Sequence, residues 1–263
     1  MNLQEYKSTI IPSVTVIIPV YNEERSIEYC ISSLRKQSIP LEIIVVDDGS
    51  KDNSVKICEG LGIKVLVDAD MEFETYFVAK LIAPIVAGDA VATCHWNERV
   101  ANWGNPWARC QAWFLGLPDK RRHPLQVPEY EEVYRAVRKD FFIDSGGHEE
   151  KMGRGEDSFV ARQTGVMAKI VADAICYHNN AGSAGEVFRD TLWCGRTVPE
   201  GQKQKLRIGL AALFYQNPIK IFIRGIILCI KKQELYMPLY AVVYSVGFAL
   251  GVIQALVYKK YAK

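Results

Sequence analysis

Asp68-Ala69-Asp70 sets two carboxylates one residue apart at the end of an apolar run. Hard carboxylate oxygens suit Mg²⁺ or Mn²⁺ held against phosphate oxygens, and two of them at this spacing can share one ion. A second acidic string, Asp47-Asp48-Gly49-Ser50, closes another apolar run, and Glu156-Asp157 follows Gly155 further along. Each string alone also reads as a solvated turn, and Glu156-Asp157 as an acidic pair favoured at a helix N-terminus. His178 stands at the end of a β-branched stretch; a lone histidine there is more often structural than a ligand.

The flanking sequence predicts elements that would gather these groups. Val14–Val20 and Leu41–Val46 are apolar, β-branched runs of buried-strand character. Between them Ile27, Cys30, Ile31 and Leu34 recur at helical spacing over 23–36, which completes a strand–helix–strand crossover. Asp52–Leu61 reads as a helix and Ile63–Val67 as a strand running into Asp68. In open α/β sheets ligands bind beyond the carboxyl ends of strands, so both acidic clusters should face one crevice. Further on, the spacing predicts a helix over 76–86, strands over 89–94, 133–139 and 168–177, and a helix starting near Gly155 and running through Gln163. The Trp-rich stretch from Trp96 to Trp113 reads as helix or structured loop, its aromatics more often core than sugar platform.

In combination and in this order, Val14–Glu23 with its Pro19-Val20-Tyr21-Asn22-Glu23 ending, Ile43–Ser50, and Asp68-Ala69-Asp70 resemble the inverting glycosyltransferases of family 2. The resemblance covers about Val14 to Gly195. It implies a GT-A fold: Rossmann-like α/β, a mostly parallel sheet flanked by helices. It also implies an enzyme that moves a sugar from a UDP- or GDP-linked donor with the help of Mn²⁺ or Mg²⁺. By the same resemblance, Pro19, Tyr21, Glu23, Asp47 and Asp48 lie at the nucleoside. Asp68 meets ribose and metal, Asp70 binds the metal, and His178 completes the metal or diphosphate contacts. Glu156-Asp157 matches the family's acceptor-side motif, with Asp157 the general base that takes the proton of an attacking hydroxyl.

The chain departs from the family before Asp68. Members usually carry a further strand, a glycine-rich basic loop and a helix there, whereas Gly62 to Asp68 leaves no room for a second parallel crossover. The favoured reading is that a loop is left out of the numbered chain, which the full-length gene sequence would show; the other is that a donor-cradling element is lost. Two rivals follow. A nucleotidyltransferase would want a glycine-rich basic loop after the first strand, which Pro19-Val20-Tyr21-Asn22-Glu23 is not, while a catalytically inactive scaffold would keep the fold without metal-dependent turnover.

With 49% hydrophobic and 24% charged residues in 263, the composition suits a folded protein with a sizeable core. The seven cysteines are scattered singly with no Cys-x-x-Cys pair, which argues against a zinc knuckle or disulfide framework and for a reducing compartment. The net charge of +2 conceals an asymmetry: from Gly201 onward there are ten Lys or Arg and one acid, Glu234, leaving the preceding residues at −7. Apolar residues fill the space between these cations, which favours a membrane over nucleic acid.

Two domains are expected, a catalytic one over 1–200 and a membrane-associated helical tail over 201–263. Met237–Tyr258 is long enough to span a bilayer. Leu206–Ile230 carries Lys220 and Arg224, each costing about 2.5–3.5 kcal/mol at the centre of a spanning helix, so it suits an interfacial helix better. A two-helix hairpin, or use of the tail as a homo-oligomer interface, stays open at this stage. With no apolar leader near Met1, the catalytic part is expected on the cytoplasmic side of the membrane. A lipid-linked or saccharide acceptor would fit there, its hydroxyl favoured over a polyprenyl phosphate.

Overall fold

The computed structural model describes residues 14–47, 49–54, 70–147, 158–197 and 205–257. The expected helix over 52–61 beyond Ser54, the expected strand Ile63–Val67, the approach to Asp68 and the proposed domain boundary at 200 lie outside these residues. So do Asp48, Asp68, Glu156 and Asp157.

Strand β1 (Val14–Val20) pairs in parallel with β2 (Leu41–Asp47), with α1 (Ile27–Arg35) crossing between them. The helical spacing of Ile27, Cys30, Ile31 and Leu34 is realised: all four are buried against the sheet. Short strand β3 (Met71–Phe73) and helix α2 (Phe77–Val86) follow, then β4 (Ala92–Val100) and α3 (Pro106–Phe114). β5 (Tyr130–Glu131), β6 (Ala136–Val137), α4 (Lys139–Asp144), α5 (Phe159–Thr164) and β7 (Ala168–His178) complete the second sheet region.

That sheet runs β3-β7-β4-β6, with β5 also on β7. β4 and β7 are parallel, while β3–β7, β4–β6 and β5–β7 are antiparallel. Among the described residues the pairing is therefore mixed, within the α/β architecture that was expected. Parallel pairs need helical crossovers, and among the described residues the parallel pairs are β1–β2, crossed by α1, and β4–β7, whose connection includes α3. The strand expected over 133–139 shrinks to β6, because Asp140 accepts hydrogen bonds from Phe141 N and Arg138 Nε and turns the chain into α4. The strand expected over 89–94 instead runs to Val100, following β7 along its length. One core joins Ile18, Val20 and α1 to β3, α2 and the β7 residues Val171, Ala174 and Cys176, so both sheets share an interior.

The chain continues through α6 (Ala184–Thr197), α7 (Lys205–Tyr215), α8 (Pro218–Lys232) and α9 (Met237–Val257). Asn217 ends α7 and caps α8, accepting hydrogen bonds from Ile219 N and Lys220 N ahead of a proline in the first turn. Helix α9 packs along α6 with almost no side chain between them. A Cβ on Gly251 would lie 2.2 Å from the Leu192 carbonyl oxygen, and one on Gly195 2.2 Å from that of Phe248. The second core gathers Cys110, Trp113 and Phe114 of α3, Val187 of α6, Ile221 of α8 and Tyr240 of α9. Trp103 meets Trp113 edge-on at 5.4 Å and Trp107 lies 5.8 Å from Tyr236, so these rings serve packing. Glu234 is tied to Arg109 at 2.6 Å.

Gly251→Leu is expected to destabilise the protein by about 1–3 kcal/mol or more through overpacking against backbone. Leu250→Ala, at an exposed neighbour, should stay within about 0.5 kcal/mol. Equilibrium denaturation of the two variants measures the difference.

Candidate active site

The loops after β1 and β2 are laced together. Asn22, at φ +58°, donates its N–H to Ser50 Oγ (2.9 Å) and accepts from Lys51 N (2.8 Å). Glu23 N donates to Ser54 Oγ at 2.8 Å. Asp47 accepts from Gly49 N and Ser50 N, both at 3.0 Å, and the Ser50 side chain first, then these backbone bonds, hold its carboxyl below the usual range. Gly49 permits that turn with φ +86°. Pro19 faces Val46 across the two strands, and the Tyr21 ring is 54% exposed at their mouth. Sequence reasoning thus places Pro19, Tyr21, Glu23 and Asp47 at the carboxyl ends of neighbouring strands, as the fold requires of a ligand crevice.

Strand pairing brings Asp70 to His178. Met71 stands opposite His178 in the β3–β7 register, and Asp70, one residue earlier, reaches His178 Nε2 with Oδ2 at 2.7 Å. On its other side the ring contacts Glu98: His178 Nδ1 and Glu98 Oε1 are 2.6 Å apart. The parallel β4–β7 register sets Glu98 beside Cys176, two residues from His178. Glu23 belongs to the same neighbourhood. Burial raises its pKa, a hydrogen bond from Ser26 opposes this, and repulsion from Asp70 raises it further.

Glu98 is the centre of the arrangement, although it is 6% exposed. Arg122 Nε binds Oε1 at 2.8 Å, while His95 Nε2 and His123 Nε2 each lie 3.2 Å from Oε2. Arg122 is fixed in turn by its N–H to the Glu98 carbonyl and by Asn180 Oδ1 at 2.8 Å. Burial alone would raise the Glu98 pKa, but the hydrogen bonds from His123, His178 and His95 hold it far below the usual carboxylate range. For His178, burial pushes the pKa down, and the bonds to Asp70 and Glu98 outweigh it, bringing it up to about 9.

The donor set fits a divalent cation. An imidazole nitrogen and a carboxylate oxygen converge at the strand ends, and the far ring nitrogen rests on a second carboxylate, the pattern by which proteins orient a metal-binding histidine. Asp70 and His178 would hold the ion in place of the proton that now bridges them, and such binding releases protons. His95, Glu98 and Cys176 also approach within 4.8 Å of one another. There the carboxylate is already engaged by arginine and imidazole groups, and burial raises the Cys176 thiol pKa strongly, so this trio is structural.

Sequence reasoning missed Glu98, Arg122, His95 and His123. Three of the chain's four histidines meet at Glu98, and no sequence signal marked it, because β4 mixes polar and apolar residues and its burial shows only in the fold.

Residues 15–67 match the family described as Glycosyl transferase family 2. A 4,4'-diaponeurosporenoate glycosyltransferase of Staphylococcus aureus is 38% identical over 61 residues, 22% of this chain and 16% of its own length. An undecaprenyl-phosphate 4-deoxy-4-formamido-L-arabinose transferase of Pectobacterium atrosepticum is 41% identical over 76 residues, 27% of this chain and 21% of its own. The chain thus matches only about a fifth or less of the length of these relatives. Among solved structures, a mannosyltransferase from Pyrobaculum calidifontis in complex with GDP-Man and Mn²⁺ superposes with a TM-score of 0.51 at 14% identity. The superposition covers 98% of this chain and 93% of that one, and at such identity it bears on the fold. Over residues 15–67 the chain is thus similar to Glycosyl transferase family 2, and its fold is similar to that of the Pyrobaculum mannosyltransferase.

Proposed function

We propose that this protein transfers a sugar from a UDP- or GDP-linked donor, with inversion, to a hydroxyl of a lipid-linked or saccharide acceptor at the cytoplasmic face of a membrane. The observation that carries this reading is the Asp70–His178–Glu98 chain at the mouth of the sheet, next to Glu23. Asp70 and His178, joined by Asp68, hold Mn²⁺ or Mg²⁺ in this proposal. Bound there, the cation would offset charge on the departing diphosphate. Tyr21, Glu23, Asp47 and Asp48 receive the nucleoside, with Pro19 setting the end of β1. Glu98 keeps His178 oriented, and the hydrogen bonds from His123, His178 and His95 keep Glu98 charged.

In the transfer, the acceptor oxygen bonds to the anomeric carbon as that carbon's bond to the diphosphate breaks. Asp157, supported by Glu156, takes the hydroxyl proton, and the nucleoside diphosphate leaves with the bonding pair. The Pyrobaculum mannosyltransferase, solved with GDP-Man and Mn²⁺, supports both the kind of sugar donor and the cation.

A second reading, transfer to a polyprenyl phosphate, is favoured by the likeness to the undecaprenyl-phosphate transferase. A phosphate oxyanion needs no base. Asp157→Asn should therefore lower transfer to a hydroxyl acceptor by about 10²–10⁴-fold. Unchanged turnover, measured with radiolabelled sugar donors, would remove the base role and leave the phosphate acceptor.

A further inference from the structure

Helix α9 is 21 residues long and apolar enough to cross a bilayer, yet its two faces are used differently. One face is spent on the fold. Met237, Tyr240, Phe248 and Val252 are buried, and Gly247 and Gly251 lie against the backbone of α6. Arg196 of α6 adds a hydrogen bond from Nε to Gln254 Oε1 at 2.7 Å. The other face carries Leu239, Val242, Val246, Leu250, Ile253 and Val257 at steps of three and four residues, each between 41% and 66% exposed. A stripe of this length without polar interruption is unusual on a soluble surface.

We infer that α9 lies in the plane of an anionic membrane and does not cross it: its glycine face stays locked on α6 while its aliphatic stripe dips into the lipid. Crossing would require either breaking the α6–α9 seam or drawing α6 into the hydrocarbon with it. Helix α6 carries Glu186, Arg189, Asp190 and Arg196, so the second route is closed. The neighbouring helices support the same seating. Ile219, Ile223, Ile226 and Ile230 form an exposed stripe on α8, and Leu206, Leu210 and Phe214 one on α7. Gly225 seats α8 on Ala241, and Gly209 seats α7 on Leu256, so both flank α9.

Charge selects the lipid. In the sequence from Gly201 onward ten Lys or Arg stand against one acid, Glu234; Arg109 neutralises that acid, Lys232 is paired with Asp119 at 2.9 Å, and Arg207, Lys220, Arg224 and Lys231 are the other described cations of α7 and α8. A basic sequence around exposed aliphatic helices favours anionic headgroups.

This inference deepens the membrane-face part of the proposed function and rests on it, and its test contains no sugar donor, so failure here and failure of sugar transfer are separately visible. The full chain is mixed with phosphatidylcholine vesicles with and without phosphatidylglycerol. Binding should be tighter on the anionic vesicles by on the order of tenfold or more. Leu235→Cys and Val257→Cys, each in a chain with Cys194 and Cys229 changed to Ser, then mark the two ends of α9. A membrane-impermeant maleimide added outside should label both positions on bound protein. The paired change Val246→Asp and Leu250→Asp should release the protein from vesicles with its melting temperature unchanged. Protection of one end of α9 would show a span and overturn the inference. So would undiminished vesicle binding by the Asp variant, or a detergent-free dimer that closes this face and ignores vesicles.

Discussion

Glu98→Ala should destabilise the protein by about 3–5 kcal/mol, the cost of removing one partner from a buried charge network. Its carboxylate is the common acceptor for Arg122, His95, His123 and His178, and it is buried. Alanine strands a guanidinium and an imidazolium in a site with little water, and it loosens the turn that carries Arg122 and His123. Glu98→Gln separates the contributions. It keeps the volume and one acceptor oxygen but removes the charge, so it should recover part of the stability. It should still weaken metal affinity by about 10–100-fold, as loss of a carboxylate behind a metal-binding histidine does. Denaturant unfolding gives the first effect and Mn²⁺ titration the second. Glu98→Ala with wild-type stability would show the network to be incidental.

Asp70→Asn is expected to do the reverse, leaving the fold largely intact while removing turnover. Asp70 is partly exposed, with a side-chain accessibility of 31%, and its one described side-chain partner is His178. Asparagine keeps an oxygen within reach of the ring but provides a neutral, weaker ligand for a hard cation. Loss of one preorganised electrostatic contact of this kind costs about 10²–10³-fold in kcat. Excess Mn²⁺ should restore part of the rate, a response that a purely structural defect would not give. Asp70→Asn with full activity would move the metal elsewhere.

Much of the fold was legible because local pattern and tertiary demand coincide. The β1–α1–β2 unit could be read from β-branched runs and the spacing of Ile27, Cys30, Ile31 and Leu34, since one face of α1 has one sheet to cover. β7 and its terminal histidine were readable for the same reason. Register was not. That β3 runs antiparallel to β7 depends on pairing across more than a hundred residues, and it is this pairing that sets Asp70 against His178. Glu98 was illegible because a charge in a strand of mixed polarity gains meaning only from donors that arrive from other segments, among them Arg122 and His123. The single helix expected over 206–230 divides at Asn217-Pro218, where a capping side chain and a proline start a new helix; the glycine seam of α9 was not legible either, since Gly247 and Gly251 look like ordinary small residues until α6 lies against them.

In the proposed reaction a cation at Asp70 and His178 recognises the diphosphate of a nucleotide sugar. It is tested most directly by thermal unfolding in the presence of UDP- and GDP-linked sugars, with and without Mn²⁺. A ligand that binds only the folded state raises stability by about 2.7 kcal/mol at one hundred times its Kd. One nucleotide sugar should raise the melting temperature when Mn²⁺ is present, and the rise should vanish on chelation and in Asp70→Asn. Stabilisation that is indifferent to Mn²⁺ and retained in Asp70→Asn would contradict the account.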